Sequence, residues 1–267
     1  HSAAIVQPRA LRYPIAWPMS DRPPIPFDYY HAVRTLSQAD ERLAGLIAKS
    51  LPFQLDPDPL QSPYEALLEA IAYQSISGKA AATIFARIKA LGANGRCPTP
   101  QEILRTPNRK LRAAGLSRAK AAAMNDLAQK TMEGVVPSLA DAEKLTDEEL
   151  VERLISVRGI GAWTVEMFLI FRLGRPDVLP IHDYGVQKGY ALTYRKRRIP
   201  KPRELAKFGE RWRPYRTVAS WFMWRAVEHA GKDARKMTKK TGAKKKSSPP
   251  QKRTRAGKRK RSRRRSS

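Results

Sequence analysis

Three features of the 267-residue sequence predict an all-α fold. From about Asp28 to His229 apolar residues recur at helical spacing, and no stretch sustains the alternation of a half-buried strand. Several helix starts carry an N-cap, Pro at the first position and an acid at the third. Ser62-Pro63-Tyr64-Glu65 and Thr99-Pro100-Gln101-Glu102 do so in full, Thr106-Pro107 in its first two positions, and Thr146-Asp147-Glu148-Glu149 is a capping box without Pro. Gly92, Gly115, Gly134 and Gly174 stand where helices would stop. The length suits one substantial core or two small lobes around a cleft, built from nine or ten short helices.

In chain order, residues 1–27 are rich in Pro and are expected as an extended, partly packed arm; residues 28–231 form the helical domain. Residues 232–267 hold 18 Lys or Arg against the single acid Asp233, a net +17, and Met237 is their one apolar residue larger than Ala. Such a stretch buries too little surface to offset its ordering entropy, so a disordered basic C-terminal tail is expected. It would serve as a tether to phosphates, a solvated tail or an import signal. The whole chain carries 52 Lys and Arg against 24 acids, a net +28, with an isoelectric point of about 10.7. That balance makes nucleic acid the leading partner and predicts binding that weakens steeply with salt. The single cysteine, Cys97, cannot build an intramolecular disulfide, a thiolate zinc site or an iron–sulfur cluster. No run approaches the roughly 18 to 20 apolar residues of a membrane span, and no membrane partner is expected. The expected location is the cytoplasm at the nucleoid in a bacterium, or the nucleus in a eukaryote.

The densest local signal lies between Glu149 and Tyr190. Two apolar-periodic helices, around Leu150–Ser156 and Ala162–Phe171, are joined by Val157-Arg158-Gly159-Ile160-Gly161, giving a helix–hairpin–helix over about 148–172. Alternate glycines let a ligand backbone approach closely, and the amides of Gly159 and Gly161 with the next helix start would cradle a phosphate. A plain helical-hairpin turn has the same appearance. Arg158 and Thr164 flank the turn as further DNA-contact candidates. Beyond the second helix come Gly174-Arg175-Pro176-Asp177 and Leu179-Pro180-Ile181-His182-Asp183. Asp183 suits the N-cap of a helix over Tyr184–Leu192, Asp177 a loop support, and His182 a loop or DNA contact. Trp163, Met167 and Ile170 at i, i+4, i+7, and Trp221 and Trp224 at i, i+3, would present either a core or an aromatic slot.

The hairpin, the dozen helical residues after it, Gly-Arg-Pro-Asp and Leu-Pro-x-x-Asp together resemble the helix–hairpin–helix DNA glycosylase superfamily. Within it the match is to the alkylpurine (3-methyladenine) glycosylases of type II. The resemblance extends to His31–Asp40, Ala70–Ser77 and Arg211–Arg216, covering most of residues 28–231. It implies two helical lobes around a cleft, one from the middle of the chain and one from the early and late helices, in the shorter form without an extra N-terminal α/β domain. It further implies a monomer that excises N3- or N7-methylated purines from double-stranded DNA in base excision repair and requires no cofactor. Such purines are already cationic, so no general acid is needed to expel them.

The resemblance also assigns roles to residues. Asp183 falls on the position of the catalytic aspartate, which supports the electron-poor sugar and orients or deprotonates water. Trp163 stands where bifunctional relatives carry the lysine that forms a Schiff base. A monofunctional enzyme is therefore implied, without lyase activity, leaving an intact abasic site. Absence of a four-cysteine cluster agrees, since the endonuclease III and adenine-mismatch branches usually hold one. Trp163 and Trp224 fall on pocket-lining positions, Tyr73 joins them, and Met167 stands where some relatives have Tyr. Ser75 follows Gln74 where relatives place a larger side chain that fills the gap left by the flipped base, so Gln74 or Ile76 would have to serve, or pairs already weakened. A monovalent cation on the carbonyls of Ile155, Val157 and Gly159 is implied at the hairpin. Two alternatives remain: a non-enzymatic, architectural helix–hairpin–helix DNA-binding protein, and a glycosylase for a different lesion. Asp183 with the two tryptophans separates the first, since an architectural binder has no use for a buried carboxylate beside an aromatic slot.

Overall fold

The structure is a computed structural model that describes residues 26–50, 52–55 and 62–246. Most of the N-terminal arm, and residues 247–267 of the basic tail, lie outside the described residues. Among the described residues there are thirteen α-helices, two 3-10 turns and no strand. The chain divides into two units, His1–Val227 and Glu228–Ser267.

In the first unit the helices are α1 (Tyr29–Ala39), α2 (Glu41–Ser50), α3 (Pro63–Tyr73), α4 (Gly78–Lys89), α5 (Pro100–Arg105), α6 (Asn108–Ala113), α7 (Arg118–Met132), α8 (Leu139–Ala142), α9 (Asp147–Ile155), α10 (Ala162–Phe171), α11 (Tyr184–Thr193), α12 (Pro202–Gly209) and the start of α13 (Arg216–Lys246). The count exceeds the expected nine or ten because α5, α6 and α8 have only four to six residues, too few to display a period. The caps act as written in the sequence. Ser62 accepts from the Glu65 amide at 3.1 Å, and Thr99 and Thr146 close full capping boxes with Glu102 and Glu149. Thr106 differs: its hydroxyl donates back to the Glu102 carbonyl at 2.7 Å. Pro107 is therefore the N-cap of α6, with no side-chain cap.

Packing sorts these helices into two sets. α7 lies against α3, α5 and α6, while α10 packs on α9 and α3, and α4 on α3; this is the middle of the chain. α1 packs on α2 and α2 on α11. Phe53 meets Trp221 and Phe222 of α13 at 5.0 and 6.1 Å between ring centroids, and Tyr194 donates to Asp40 at 2.7 Å. Early and late segments thus share the second lobe, as expected. The crossing between the lobes is bolted down at residues 174–179. Arg175 donates to the carbonyls of Ala142 and Leu145, and Thr217 bonds the Arg175 carbonyl and the Val178 amide. Asp177 pairs with Arg213 and Arg216 at 2.6 and 2.8 Å, a loop support as its place in the sequence suggests.

In the second unit the backbone continues as α13 to Lys246, fifteen residues past Gly231, after which the sequence predicts a disordered tail. The reason is local: residues 232–246 are mostly Lys, Arg, Ala and Met, all good helix formers, and the next Pro is Pro249. Helix propensity needs no core to express itself. Among the described residues no helix is long and apolar enough to cross a membrane.

Candidate active site

Asp183 begins α11, and its carboxylate is fixed on both oxygens. Oδ1 accepts from the Val186 amide at 2.8 Å, capping the helix, and from Trp224 Nε1 at 2.8 Å. Oδ2 accepts from Trp163 Nε1 at 2.8 Å. Trp163 rides on α10 of the middle lobe, whereas Asp183 and Trp224 belong to the other, so this hydrogen bond spans the seam between the lobes. The residue is only 9% exposed. All three donors are uncharged, and among the described residues no cation pairs with the carboxylate. Oδ1 has both lone pairs engaged, while Oδ2 keeps one free. The cap and the aromatic setting, alternatives from the sequence, are properties of one side chain.

The two indoles are held differently. Trp224 is half-buried and stacks on Phe171, ring centroids 5.7 Å apart. It lies so close over α11 that a Cβ at Gly185 would meet its Cδ1 at 2.7 Å and Asp183 Oδ1 at 3.0 Å. Trp163 leaves 39% of its surface exposed. Trp221 is buried and meets Phe53 and Phe222 in the core. Met167, one turn beyond Trp163, is half-buried against the core. Tyr73 is half-buried with its ring edge-on to Phe85 at 6.3 Å; among the described residues no hydrogen bond or ring contact joins it to Asp183 or either indole.

Sequence reasoning missed Glu166. It is the one charged residue of α10, a turn past Trp163, and its Oε2 is buried without a hydrogen-bond partner. Burial, and then the charge of Asp183, push its carboxyl up to about 7. A lone acid in an otherwise apolar helix was the available signal.

The hairpin is strapped from two sides. Gln74, at the end of α3, donates its amide to the Gly159 carbonyl at 2.9 Å. Asp126 of α7 accepts from the Arg158 backbone amide at 2.7 Å and from Lys130 at 2.8 Å, and Lys130 also donates to the Ser156 carbonyl. Lys120 of the same helix donates to the Ala72 carbonyl at 2.8 Å. Arg158, Gly159 and Gly161 are exposed, Thr164 is half-buried, and Gly159 has a φ of +78°. The Val157 carbonyl accepts from the Ile160 amide and that of Gly159 from Gln74, so each keeps a lone pair that a cation could use. Ser75 is exposed with a φ of +59°. With the Gln74 amide engaged, Ile76, 39% exposed, is the candidate wedge that keeps a free side chain. Among the described residues no group of three His, Cys, Asp or Glu could hold a metal ion. Burial pushes the Cys97 thiol up to about 12, which leaves it without thiolate character.

Comparison with known proteins places this geometry. Residues 68–214 match the HhH-GPD superfamily of base excision DNA repair proteins. DNA-3-methyladenine glycosylase 1 of Schizosaccharomyces pombe is 42% identical over 170 residues, 64% of this chain and 75% of the relative. Among solved structures, the 3-methyladenine DNA glycosylase of that yeast in complex with abasic DNA superposes with a TM-score of 0.62 at 38% identity, covering 73% of this chain and 95% of the other. A DNA-3-methyladenine glycosidase from Bacillus halodurans gives a TM-score of 0.67 at 32% identity, covering 73% and 88%. The chain is therefore a member of the HhH-GPD superfamily of base excision DNA repair proteins.

Proposed function

We propose that this protein is a monofunctional DNA glycosylase that removes N3- and N7-methylated purines from double-stranded DNA and leaves an abasic site. One observation carries the reading: a buried carboxylate at the lobe seam, held only by neutral donors, with one Oδ2 lone pair unused. The similarity to 3-methyladenine glycosylases supports the substrate class.

The chemistry follows from charge. In an N3- or N7-methylated purine the ring is cationic, so when the bond from C1′ to the base breaks, its electron pair neutralises the leaving ring and positive charge passes to the sugar. The Asp183 carboxylate stabilises that charge, because indole and amide donors fix its direction without cancelling it. Its free Oδ2 lone pair orients water toward C1′ and accepts a proton as the water adds. Exposed Trp163 and half-buried Trp224 offer aromatic faces to the flipped cationic base, each worth about 0.5 to 2 kcal/mol. With Trp163 in place of a lysine no Schiff base forms, and the DNA backbone stays whole. A monovalent cation, held by the carbonyls of Ile155, Val157 and Gly159, would stiffen the hairpin.

The test is release of methylated purine from alkylated duplex DNA by the wild type and by Asp183→Asn, with and without alkali. The expected result is free 3-methyladenine, strand breaks only after alkali, and an Asn variant that binds DNA but releases nothing. Equal release by both proteins would overturn the role of Asp183, and strand cleavage without alkali would overturn the monofunctional mechanism.

A further inference from the structure

We infer that an open notch bounded by α6, α7 and the hairpin is a second phosphate-binding site for duplex DNA, built on Arg112, Arg118 and Arg158. The inference rests on the DNA-glycosylase reading above. The notch is a cavity of about 680 Å³ whose polar lining is these three arginines with Asn108, Asn125, Asp126 and Gln129, the last donating to Glu133 at 2.7 Å. All three arginines are exposed, and among the described residues none of their guanidinium groups has a hydrogen-bond or ion-pair partner. The one acid in the lining, Asp126, takes the Arg158 amide and the Lys130 ammonium on its Oδ2, so three arginines share the notch with a single carboxylate. Asn125 and Asn108 satisfy each other at 2.9 Å and add no charge.

The lysines of α7 behave differently. Lys120 and Lys130 turn inward and saturate carbonyls of Ala72 and Ser156, so two cations of this helix are structural. Arg118, with Arg112 from α6 and Arg158 from the hairpin, is left facing a shared concavity in which Asp126 is the single acid, an excess of two positive charges. Guanidinium forks in such a setting match phosphate oxygens in geometry and charge. Arg158 belongs both to the notch and to the hairpin, so a duplex whose phosphates meet the hairpin amides carries neighbouring phosphates to the notch.

The experiment compares the salt dependence of binding to undamaged duplex for the wild type, for Arg112→Gln with Arg118→Gln, and for a charge-matched control, Arg34→Gln with Arg42→Gln, both exposed in the other lobe. Each phosphate that is no longer neutralised lowers the log–log slope by about 0.9, so the fall in affinity between 50 and 200 mM salt should shrink about 3- to 12-fold in the notch variant. The control should keep the wild-type slope, and the notch variant should release base at the wild-type rate on saturating DNA. A slope equal to wild type with binding of inorganic phosphate also unchanged, or an equal change in the control, would overturn the site. Loss of inorganic phosphate binding with an unchanged duplex slope would overturn DNA as the source of the phosphate. Absence of base release by the wild type, with the slopes as expected, would instead tell against the glycosylase reading alone.

Discussion

Replacing Gly185 with Ala should damage the site without altering any side chain that touches substrate. Gly185 is the second residue of α11, and a Cβ there would lie 2.7 Å from Trp224 Cδ1, where ordinary contact begins at 3.4 Å. The indole must retreat by about 0.7 Å, which lengthens the 2.8 Å hydrogen bond from Nε1 to Asp183 Oδ1 to at most about 3.5 Å, beyond a normal hydrogen bond. A hydrogen bond to a charged group contributes about 1.5 to 3 kcal/mol, and Ala in place of Gly returns up to about 1 kcal/mol of helix propensity. Folding stability should therefore fall by about 0.5 to 2 kcal/mol. Base release should slow by about 10- to 100-fold, the kinetic equivalent of losing that hydrogen bond at the reacting carboxylate. Single-turnover release from alkylated duplex, with urea unfolding alongside, measures both. A double-mutant cycle supplies the decisive comparison, because in a Trp224→Ala background the obstructing ring is gone, only the 3.0 Å approach to Asp183 Oδ1 remains, and Gly185→Ala should cost markedly less. Wild-type rates in the single variant, or the same penalty in both backgrounds, would refute the steric route through Trp224.

Glu166 predicts a pH dependence of stability. Its carboxyl stays protonated in the fold up to about 7 but ionises near 4.5 when unfolded, so the native state holds the extra proton between those values and stability falls as pH rises through that window. Glu166→Gln lacks this loss. It should be more stable than wild type at pH 8 by up to about 3 kcal/mol, an advantage absent at pH 4.5, as followed by urea unfolding; equal midpoints at pH 8 would contradict it. Gln74→Ala removes the strap to Gly159 and should lower stability by about 1 kcal/mol while leaving the far-ultraviolet helical signal intact, and an unchanged urea midpoint would show that the strap contributes nothing.

Much of the fold is legible because its signals are local. A cap is written within four residues, and Ser62, Thr99 and Thr146 behave as their neighbours dictate. Thr106 misleads because its hydroxyl can choose between the helix behind it and the helix ahead, and both options look alike in sequence. The same locality explains Asp183. Its cap to Val186 spans three residues, but its indole donors come from positions 20 and 41 residues away, a convergence that only the packed lobes create. The straps on the hairpin are illegible for the same reason: Gln74 lies 85 residues from Gly159, and Asp126 lies 32 from Arg158. Residues 232–246 depart from expectation for the opposite cause. Their composition forbids a core, yet it does not forbid a helix, because the two depend on different properties of the side chains.

The choice of tryptophan around Asp183 has its own logic on the proposed chemistry. Two unit charges 4 Å apart interact by about 4 kcal/mol at an effective dielectric constant of 20, which is the scale of help a carboxylate can give to a sugar turning cationic. An arginine or lysine bonded to the same oxygens would orient the carboxylate equally well but would oppose most of that attraction. An indole N–H supplies direction with no net charge, and its ring adds a face that attracts a cationic base. The same two residues can therefore hold the carboxylate and bind the leaving group. A neutral lesion base gains less from those faces and needs a proton to depart, and Glu166, with its orphaned oxygen inside the packing of α10, faces a cavity lined by Asp147, Asp177, Leu179 and Arg216. The donors on Asp183 itself are two indoles and a backbone amide, none of them an acid, which matches the site to bases that are charged before they arrive.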